Sequence, residues 1–188
     1  MNREAREAIV KRVVLALAAF CLAYAGVGFI RIAITQRPRE VRPKATVRVG
    51  ERVVFPQLQS ITGAPFPGVN ARFLFVTAFS LSCPFAVQSV PFWNRIKRAL
   101  PAHRASYVVI GCARSFDELR TFVQHTGLEA DVFFAPCDQV EAKLRIAGGI
   151  SHYLLDARHV CRAVWTGMPV NAQGEKKILD EILRALEP

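Results

Sequence analysis

Apolar runs separated by short polar stretches predict alternating strands and helices along most of the chain. Residues 72–79 form a continuous run of aromatic and branched side chains, typical of a strand buried on both faces, and residues 107–111 form another. Between them, residues 84–100 carry apolar side chains near helical spacing, and Pro84 is tolerated in a first helical turn. The pattern therefore predicts a strand, a helix and a second buried strand.

The alternation continues to the end of the chain. Ser115 and Glu118 have the spacing of a capping box, which opens a helix through about Gln124 that ends near Gly127. The further predicted elements are a strand at 131–134, a helix at 139–146 capped by Asp138 and ended by Gly148 and Gly149, a hairpin of 152–155 and 160–166, and a helix at 175–186. Such an order predicts an α/β fold with a largely parallel sheet and an antiparallel pair at its end.

The N-terminal part of the chain has a different pattern. Residues 13–30 are uncharged, lie between the basic pair Lys11-Arg12 and Arg31, and are long enough to cross a bilayer. We therefore predict a basic tail at 1–12, a transmembrane anchor at 13–34, a charged linker at 35–46 and an exported domain at 47–188. The short basic tail favours an N-terminus on the cytoplasmic side, which places the domain on the periplasmic or extracytoplasmic side of the inner membrane.

A cleaved secretory signal is the alternative, because Ala23-Tyr24-Ala25 has the small-x-small pattern of a cleavage site. The apolar run continues past that point, which favours an uncleaved anchor. The formal net charge of +10 agrees with membrane contact, since a net +6 falls within residues 1–44, where basic residues meet lipid head groups. No base-reading motif accompanies the charge, so nucleic-acid binding is not predicted.

Cys83 is the first candidate for chemistry. It follows the buried strand 72–79 and directly precedes the predicted helix, where backbone N–H groups and the helix dipole favour an anion. The thiolate is the nucleophile of disulfide exchange. A cysteine in this position is therefore predicted to be a reactive thiol.

Beginning at residue 47, the chain resembles the thioredoxin superfamily, and within it the TlpA/ResA-like membrane-anchored thiol-disulfide oxidoreductases. The resemblance rests on the segment 47–58, on the strand and loop from Phe75 to Ala86, and on Pro91, which matches a helix-kinking proline. It implies a three-layer fold with a central mixed sheet, exchange with protein thiols or disulfides, and no cofactor. Within it, Cys83, Pro84, Phe85 and Ala86 form the active-site loop.

Two positions depart from the family pattern. Ala86 stands where the family has its second, resolving cysteine, so a two-cysteine cycle cannot run within this motif. Ile150 stands where the family has a cis-proline. A cis bond before a residue other than proline costs about 2.5–4 kcal/mol, so we expect a trans bond and an altered substrate-facing loop.

The remaining cysteines of the domain are Cys112, Cys137 and Cys161, and with Cys83 they permit three disulfide pairings. Cys112 follows a strand that parallels the one before Cys83, so it is a candidate resolving partner, and Cys137 is a second. Cys161 lies within a predicted strand and is expected to be a buried small hydrophobe. Neither these cysteines nor the four histidines show metal-ligand spacing, so no metal site is predicted.

Two functions follow from these observations. The first is thiol-disulfide exchange through the single Cys83, and the alternative is a thioredoxin-like binding module that has lost its redox chemistry. A single-cysteine peroxidase is disfavoured, because related peroxidases carry Thr where this chain has Ser80.

Overall fold

The computed structural model describes residues 46–67, 72–146 and 149–187. The predicted basic tail, the predicted anchor at 13–34 and all of the linker except residue 46 lie outside the described residues. Within the described part of the chain, no helix combines the length and apolar character needed to span a bilayer.

Six strands form one mixed sheet at the centre of the domain. The strands are β1 (Gln59–Ser60), β2 (Phe73–Ser80), β3 (Ala105–Ala113), β4 (Asp131–Pro136), β5 (Ile150–Asp156) and β6 (Cys161–Thr166), in the spatial order β1-β4-β3-β2-β5-β6. The strands β2, β3 and β4 are parallel, whereas β5 and β6 continue the sheet on one side of β2 in antiparallel pairing and β1 pairs antiparallel with β4. The mixed sheet confirms the α/β class and the central mixed sheet that the resemblance implied. The sheet is not largely parallel as the element order predicted, because three of its five strand pairings are antiparallel.

Four helices cover the sheet. They are α1 (Ala86–Ala99), α2 (Phe116–Thr126), α3 (Cys137–Leu144) and α4 (Ala172–Ala185). Buried residues of α1, α2 and α4 share one apolar cluster with Phe75 and Phe79 of β2. Buried residues of α3 share a second cluster with Val76 and Ala78, the alternate side chains of the same strand, and with Val47 and Val53 of the N-terminal segment. The domain therefore has three layers, as the resemblance implied.

The capping residues of α2 were predicted correctly, whereas the start of α4 was not. Ser115 caps α2 by accepting a hydrogen bond from the Glu118 backbone N–H at 3.2 Å, and Gly127 ends that helix with a left-handed φ of 64°. Glu118 reaches back to the backbone N–H of Arg114 at 2.9 Å, one residue earlier than a standard capping box requires. The final helix begins at Ala172 and not at 175, because Asn171 caps it through the Gly174 backbone N–H.

The prediction for α3 was wrong at both ends. Asp138 does not cap the helix, because Pro136 holds the extended backbone of the N-cap position and the helix begins at Cys137. The helix ends at Leu144, before the glycines, because Arg145 adopts a left-handed conformation with φ 50°. The Arg145 guanidinium forms a bidentate ion pair with Glu51 at 2.6 and 2.9 Å, which holds this end of the helix against the N-terminal segment.

Gly111 sets the distance between β3 and α2. A Cβ at this position would lie 2.6 Å from Leu119 Cδ1 and 3.0 Å from Phe79 Cε1. The Leu119 side chain is fully buried and fills the space above the glycine. The close approach of helix and sheet therefore requires the absence of a side chain here.

We expect Gly111→Ala to lower the free energy of unfolding by about 1–3 kcal/mol, because the added methyl group overpacks the interface with Leu119. Urea denaturation measures the change. The matched control is Gly174→Ala, in which the nearest atom to the added Cβ lies 3.4 Å away and the helical position gains about 0.5–1 kcal/mol from alanine. Equal stabilities of the two variants would contradict the assigned packing.

Candidate functional site

Cys83 lies in the loop that joins β2 to α1. After Ser80 the chain turns, with the Cys83 backbone N–H donating to the Ser80 carbonyl at 2.9 Å. The Cys83 carbonyl in turn accepts from the Ala86 backbone N–H at 3.0 Å, where the helix begins. The Cys83 residue is only 8% exposed and joins the apolar cluster beneath α1. The thiol is therefore placed at the end of the central strand, mostly covered by the protein.

The helix after Cys83 starts later than predicted. Pro84 and Phe85 lie in a turn, and the first bond of α-helical type runs from the Ser89 backbone N–H to the Phe85 carbonyl at 3.0 Å. A residue preceding proline is disfavoured in the helical region, which keeps Cys83 out of the helix. Cys83 therefore lies three residues before Ala86, the first helical residue, and not directly before the helix as predicted.

Ala86 and Ile150 are the two departures from the family pattern, and both are buried. Ala86 is 1% exposed and Ile150 is 3% exposed, in the same apolar cluster as Cys83. Ile150 pairs with Phe79 across the antiparallel contact of β5 with β2, and its carbonyl accepts from the Gly167 backbone N–H at 2.7 Å. The peptide bond before Ile150 is trans, as expected. Apolar side chains thus surround the thiol where the family has a second cysteine and a proline.

An exposed apolar surface borders the buried thiol. Phe85 is 53% exposed and Val87 is 61% exposed, and the intervening Ala86 points into the core. With the exposed Pro84, these residues form an apolar rim of Pro84, Phe85 and Val87. Large apolar side chains exposed next to a functional group are typical of a surface that contacts another protein.

Cys112 and Cys137 lie together on the other face of the sheet. Cys112 of β3 is fully buried in the cluster that includes α3, and Cys137 begins that helix. Cys83 belongs to the cluster on the opposite face. The structure therefore brings the two candidate resolving cysteines next to each other. Cys161 is fully buried, as predicted, and the four described cysteines are free thiols.

The described part of the chain contains no group of three or more His, Cys, Asp or Glu side chains arranged to hold a metal ion. Phe92 and Trp93 of α1 are 2% and 0% exposed and belong to the core.

Solved structures of other proteins are similar to the structure of this chain. No family model and no curated protein matches the chain. A Chlorobium tepidum structure described as a thiol:disulfide interchange protein DsbE matches with a TM-score of 0.63 and 18% identity, over 76% of this chain and all of that one. A Bacteroides thetaiotaomicron structure described as a protein disulfide isomerase matches with a TM-score of 0.61 and 16% identity, over 76% of this chain and 92% of that one.

A third similar structure is described as thioredoxin-like. A thioredoxin-like protein from Parabacteroides distasonis matches with a TM-score of 0.55 and 12% identity, over 74% of this chain and 96% of that one. The chain has a thioredoxin-like fold. Since each match spans nearly the whole of the other chain, the likeness covers a complete thioredoxin-like domain.

A buried polar group lies within the thioredoxin-like sheet. Thr77 of β2 is hydrogen-bonded through Oγ1 to the Tyr107 hydroxyl at 3.0 Å and to His152 Nδ1 at 2.8 Å. Phe75 and Phe92 surround the imidazole, with ring centroids 6.1 and 6.2 Å from it. Sequence reasoning missed this group. The available signal was a threonine and a histidine inside two otherwise apolar strand patterns.

Burial controls the protonation of this group. It lowers the pKa of His152 to about 4, against a smaller opposing effect from the Gly167 backbone. It also raises the pKa of Tyr107, although the hydrogen bond with Thr77 opposes that shift. Both side chains are therefore neutral in the folded domain at neutral pH.

We expect His152 to destabilise the domain on acidification. Its folded pKa is below the ordinary value of 6.5, so the unfolded chain binds the extra proton as pH falls from 6.5 towards 4. Over that window the free energy of unfolding should fall by about 3 kcal/mol because of this residue.

Urea denaturation at several pH values, comparing the wild type with His152→Asn, isolates the effect, because asparagine can keep a hydrogen bond to Thr77 without titrating. His103→Asn, which removes an exposed imidazole, is the matched control and should leave the wild-type slope. An unchanged slope in His152→Asn would show that the buried imidazole does not cause the pH dependence.

Proposed function

We propose that this protein is a membrane-tethered, extracytoplasmic thiol-disulfide exchange protein that reacts through the single Cys83. The observation that carries the proposal is the position of this thiol at the end of the central β2 strand, in the loop before α1 and beside the exposed apolar rim. The likeness to structures described as disulfide interchange proteins and isomerases supports this assignment.

The reaction begins with the Cys83 thiolate attacking one sulfur of a protein disulfide. A new bond joins Cys83 Sγ to that sulfur, the substrate S–S bond breaks, and the other sulfur leaves as a thiolate that takes up a proton. Because Ala86 carries no thiol, the neighbouring position cannot resolve the mixed disulfide. A second thiol, from the substrate or from an external thiol, attacks the mixed disulfide and regenerates Cys83.

The apolar rim supplies the contact surface for such a substrate. The side chains of Phe85 and Val87 flank the loop that holds Cys83, so a protein segment that covers them also lies over the thiol. Burying the exposed part, roughly half, of a side chain of this size contributes about 1 kcal/mol to the contact. Binding of an apolar segment and delivery of its disulfide would therefore occur at one place.

We expect Cys83→Ser to abolish the mixed disulfide formed when the reduced protein meets a disulfide-bonded substrate protein such as insulin. Non-reducing electrophoresis after acid quenching and alkylation detects the adduct. Cys161→Ser removes a buried thiol from another strand and is the matched control, which should retain the adduct. Undiminished adduct in Cys83→Ser would overturn the assignment of Cys83 as the nucleophile.

Restoring the second cysteine provides the complementary test. We expect Ala86→Cys to raise the rate of insulin reduction by dithiothreitol several-fold above that of the wild type, because an adjacent thiol can release the substrate without an encounter with an external thiol. The added sulfur replaces one methyl hydrogen at a buried position, so circular dichroism should verify that the fold is kept. A rate no higher than that of the wild type would contradict the proposed role of the loop.

A binding module without redox chemistry is the second candidate. Two observations favour it: Cys83 is only 8% exposed, which restricts its reaction with a substrate disulfide, and the buried Ala86 supplies no second thiol. The exposed apolar rim would still provide a contact surface for a partner. In that case Phe85→Ser would weaken partner binding while Cys83→Ser left it unchanged, as measured by co-purification of the partner from solubilised membranes.

Membrane attachment is part of the proposal and rests on the uncharged segment 13–30 with its basic flanks. We expect the full chain to remain in the membrane fraction after a carbonate wash. We also expect protease added to intact spheroplasts to degrade the domain. Recovery in the soluble fraction at a mass reduced by the N-terminal segment would instead indicate a cleaved signal.

A further inference from the structure

Cys112 and Cys137 are brought together by the ends of two parallel strands. In the pairing of β3 with β4, Cys112 lies opposite Ala135, and Cys137 follows two residues later as the first residue of α3. Its Sγ approaches the carbonyl oxygen of Ala113 at 3.8 Å. The helix therefore turns the Cys137 thiol back over the end of β3, where Cys112 is located.

The two thiols lie close together and differ in accessibility. Burial, with a smaller contribution from a hydrogen bond with the Cys137 thiol, raises the pKa of the Cys112 thiol to about 12, against the opposing effect of a hydrogen bond with Ser80. Cys112 has no exposed surface, whereas Cys137 is partly exposed. The pair thus consists of one thiol that solvent can reach and one that only its neighbour can reach.

A cavity of about 440 Å³ gives access to this pair. It is lined by Ser80, Leu81, Ser82, Cys112, Ala113, Arg114, Glu118 and Cys137. Cavities that bind small molecules have volumes of roughly 300–1,000 Å³. Both sulfur-bearing residues therefore line a space that is large enough for a small disulfide, at the edge of the sheet where Ser80, Leu81 and Ser82 lead towards Cys83.

We propose that Cys112 and Cys137 form a second dithiol site, which reduces a low-molecular-weight disulfide entering this cavity and is itself oxidised to an intramolecular disulfide. Cys83 is not among the residues that line this cavity, so the proposal goes beyond the exchange proposed above and does not require it. The partly exposed Cys137 is the attacking thiol, and Cys112 is the resolving thiol.

The reaction balances in two exchange steps. Cys137, as its thiolate, attacks one sulfur of the small disulfide, whose S–S bond breaks and whose other sulfur leaves as a thiol after taking up the Cys137 proton. Cys112 Sγ then attacks Cys137 Sγ, and the second thiol leaves with the Cys112 proton. Two cysteine thiols are oxidised to one disulfide, and the small disulfide is reduced to two thiols.

The contact between the thiols explains how a buried thiol can take part. Cys112 needs no path from solvent, because the sulfur it attacks is already its neighbour. Once Cys137 is bound in a mixed disulfide it carries no thiol, so its contribution to the raised pKa of Cys112 is removed. The first step therefore favours the second.

The test uses the full chain, reduced and then equilibrated with oxidised glutathione, followed by alkylation and peptide mass spectrometry. We expect a peptide that joins Cys112 to Cys137 and lacks two hydrogens, in the wild type and equally in Cys83→Ser. Cys161→Ser is the matched control and should give the same cross-link. A cross-link that joins Cys83 to either residue, or full alkylation of both residues while Cys83 carries glutathione, would overturn the proposal.

Two further variants test the order of attack. We expect Cys112→Ala to accumulate a stable glutathione adduct on Cys137, because no neighbour releases it. We expect Cys137→Ser to leave Cys112 unmodified. An adduct on Cys112 in Cys137→Ser would reverse the assigned roles and overturn the mechanism.

The variants also separate the two sites. If Cys83→Ser loses its adduct with insulin and keeps the Cys112–Cys137 cross-link, both proposals stand. Loss of the cross-link alone in the wild type rejects only the second site. Because Cys112 is buried, circular dichroism must accompany Cys112→Ala, and the glutathione test on Cys137→Ser stands even where the alanine variant does not fold.

Discussion

The whole arrangement depends on the burial of one strand, β2, on both of its faces and along both of its edges. Every residue from Leu74 to Ser80 is buried, and β3 and β5 occupy its two edges. Alternate side chains enter two separate apolar clusters, so a shift of one residue would exchange the two cores. The loss of apolar packing that such a shift would cause fixes the register of the sheet.

The register in turn determines where the candidate reactive cysteines lie. Because Phe79 pairs with Ile150 and Ser80 pairs with Cys112, the ends of three strands meet at the point where the chain turns towards Cys83. The two candidate reactive sites lie near this one edge of the sheet but belong to opposite layers. The end of β2 therefore both supports the Cys83 loop and borders the dithiol pair.

The fold could be predicted from the sequence where the local pattern was strong. Long buried strands such as β2 and β3 were evident as continuous apolar runs, and helix α2 was evident from its capping residues. Helix ends were less predictable. The start of α3 depends on the extended backbone of Pro136 and its end depends on an ion pair between Arg145 and Glu51, which are 94 residues apart. The two-residue strand β1 is too short to leave a pattern.

The candidate site, like the fold, could be predicted only in part from the sequence. The position of Cys83 after a buried strand followed from the sequence, as did the burial of Cys161. The contact between Cys112 and Cys137 did not, because parallel pairing indicates which strand ends are neighbours without indicating where a following helix directs its first side chain. The buried Thr77, Tyr107 and His152 were also missed, since each belongs to a different strand and only the register brings them together.

The covered thiol beside an exposed apolar rim has a consequence for oxidative damage. Over-oxidation of cysteine to sulfinic and sulfonic acids follows thiolate character and exposure to solvent. With 8% exposure, Cys83 presents little surface to dissolved oxidants, whereas in the proposed exchange a protein bound on Phe85 and Val87 would bring its own sulfur to the thiol. The surrounding fold would then slow the oxidation that destroys the cysteine without preventing the proposed exchange.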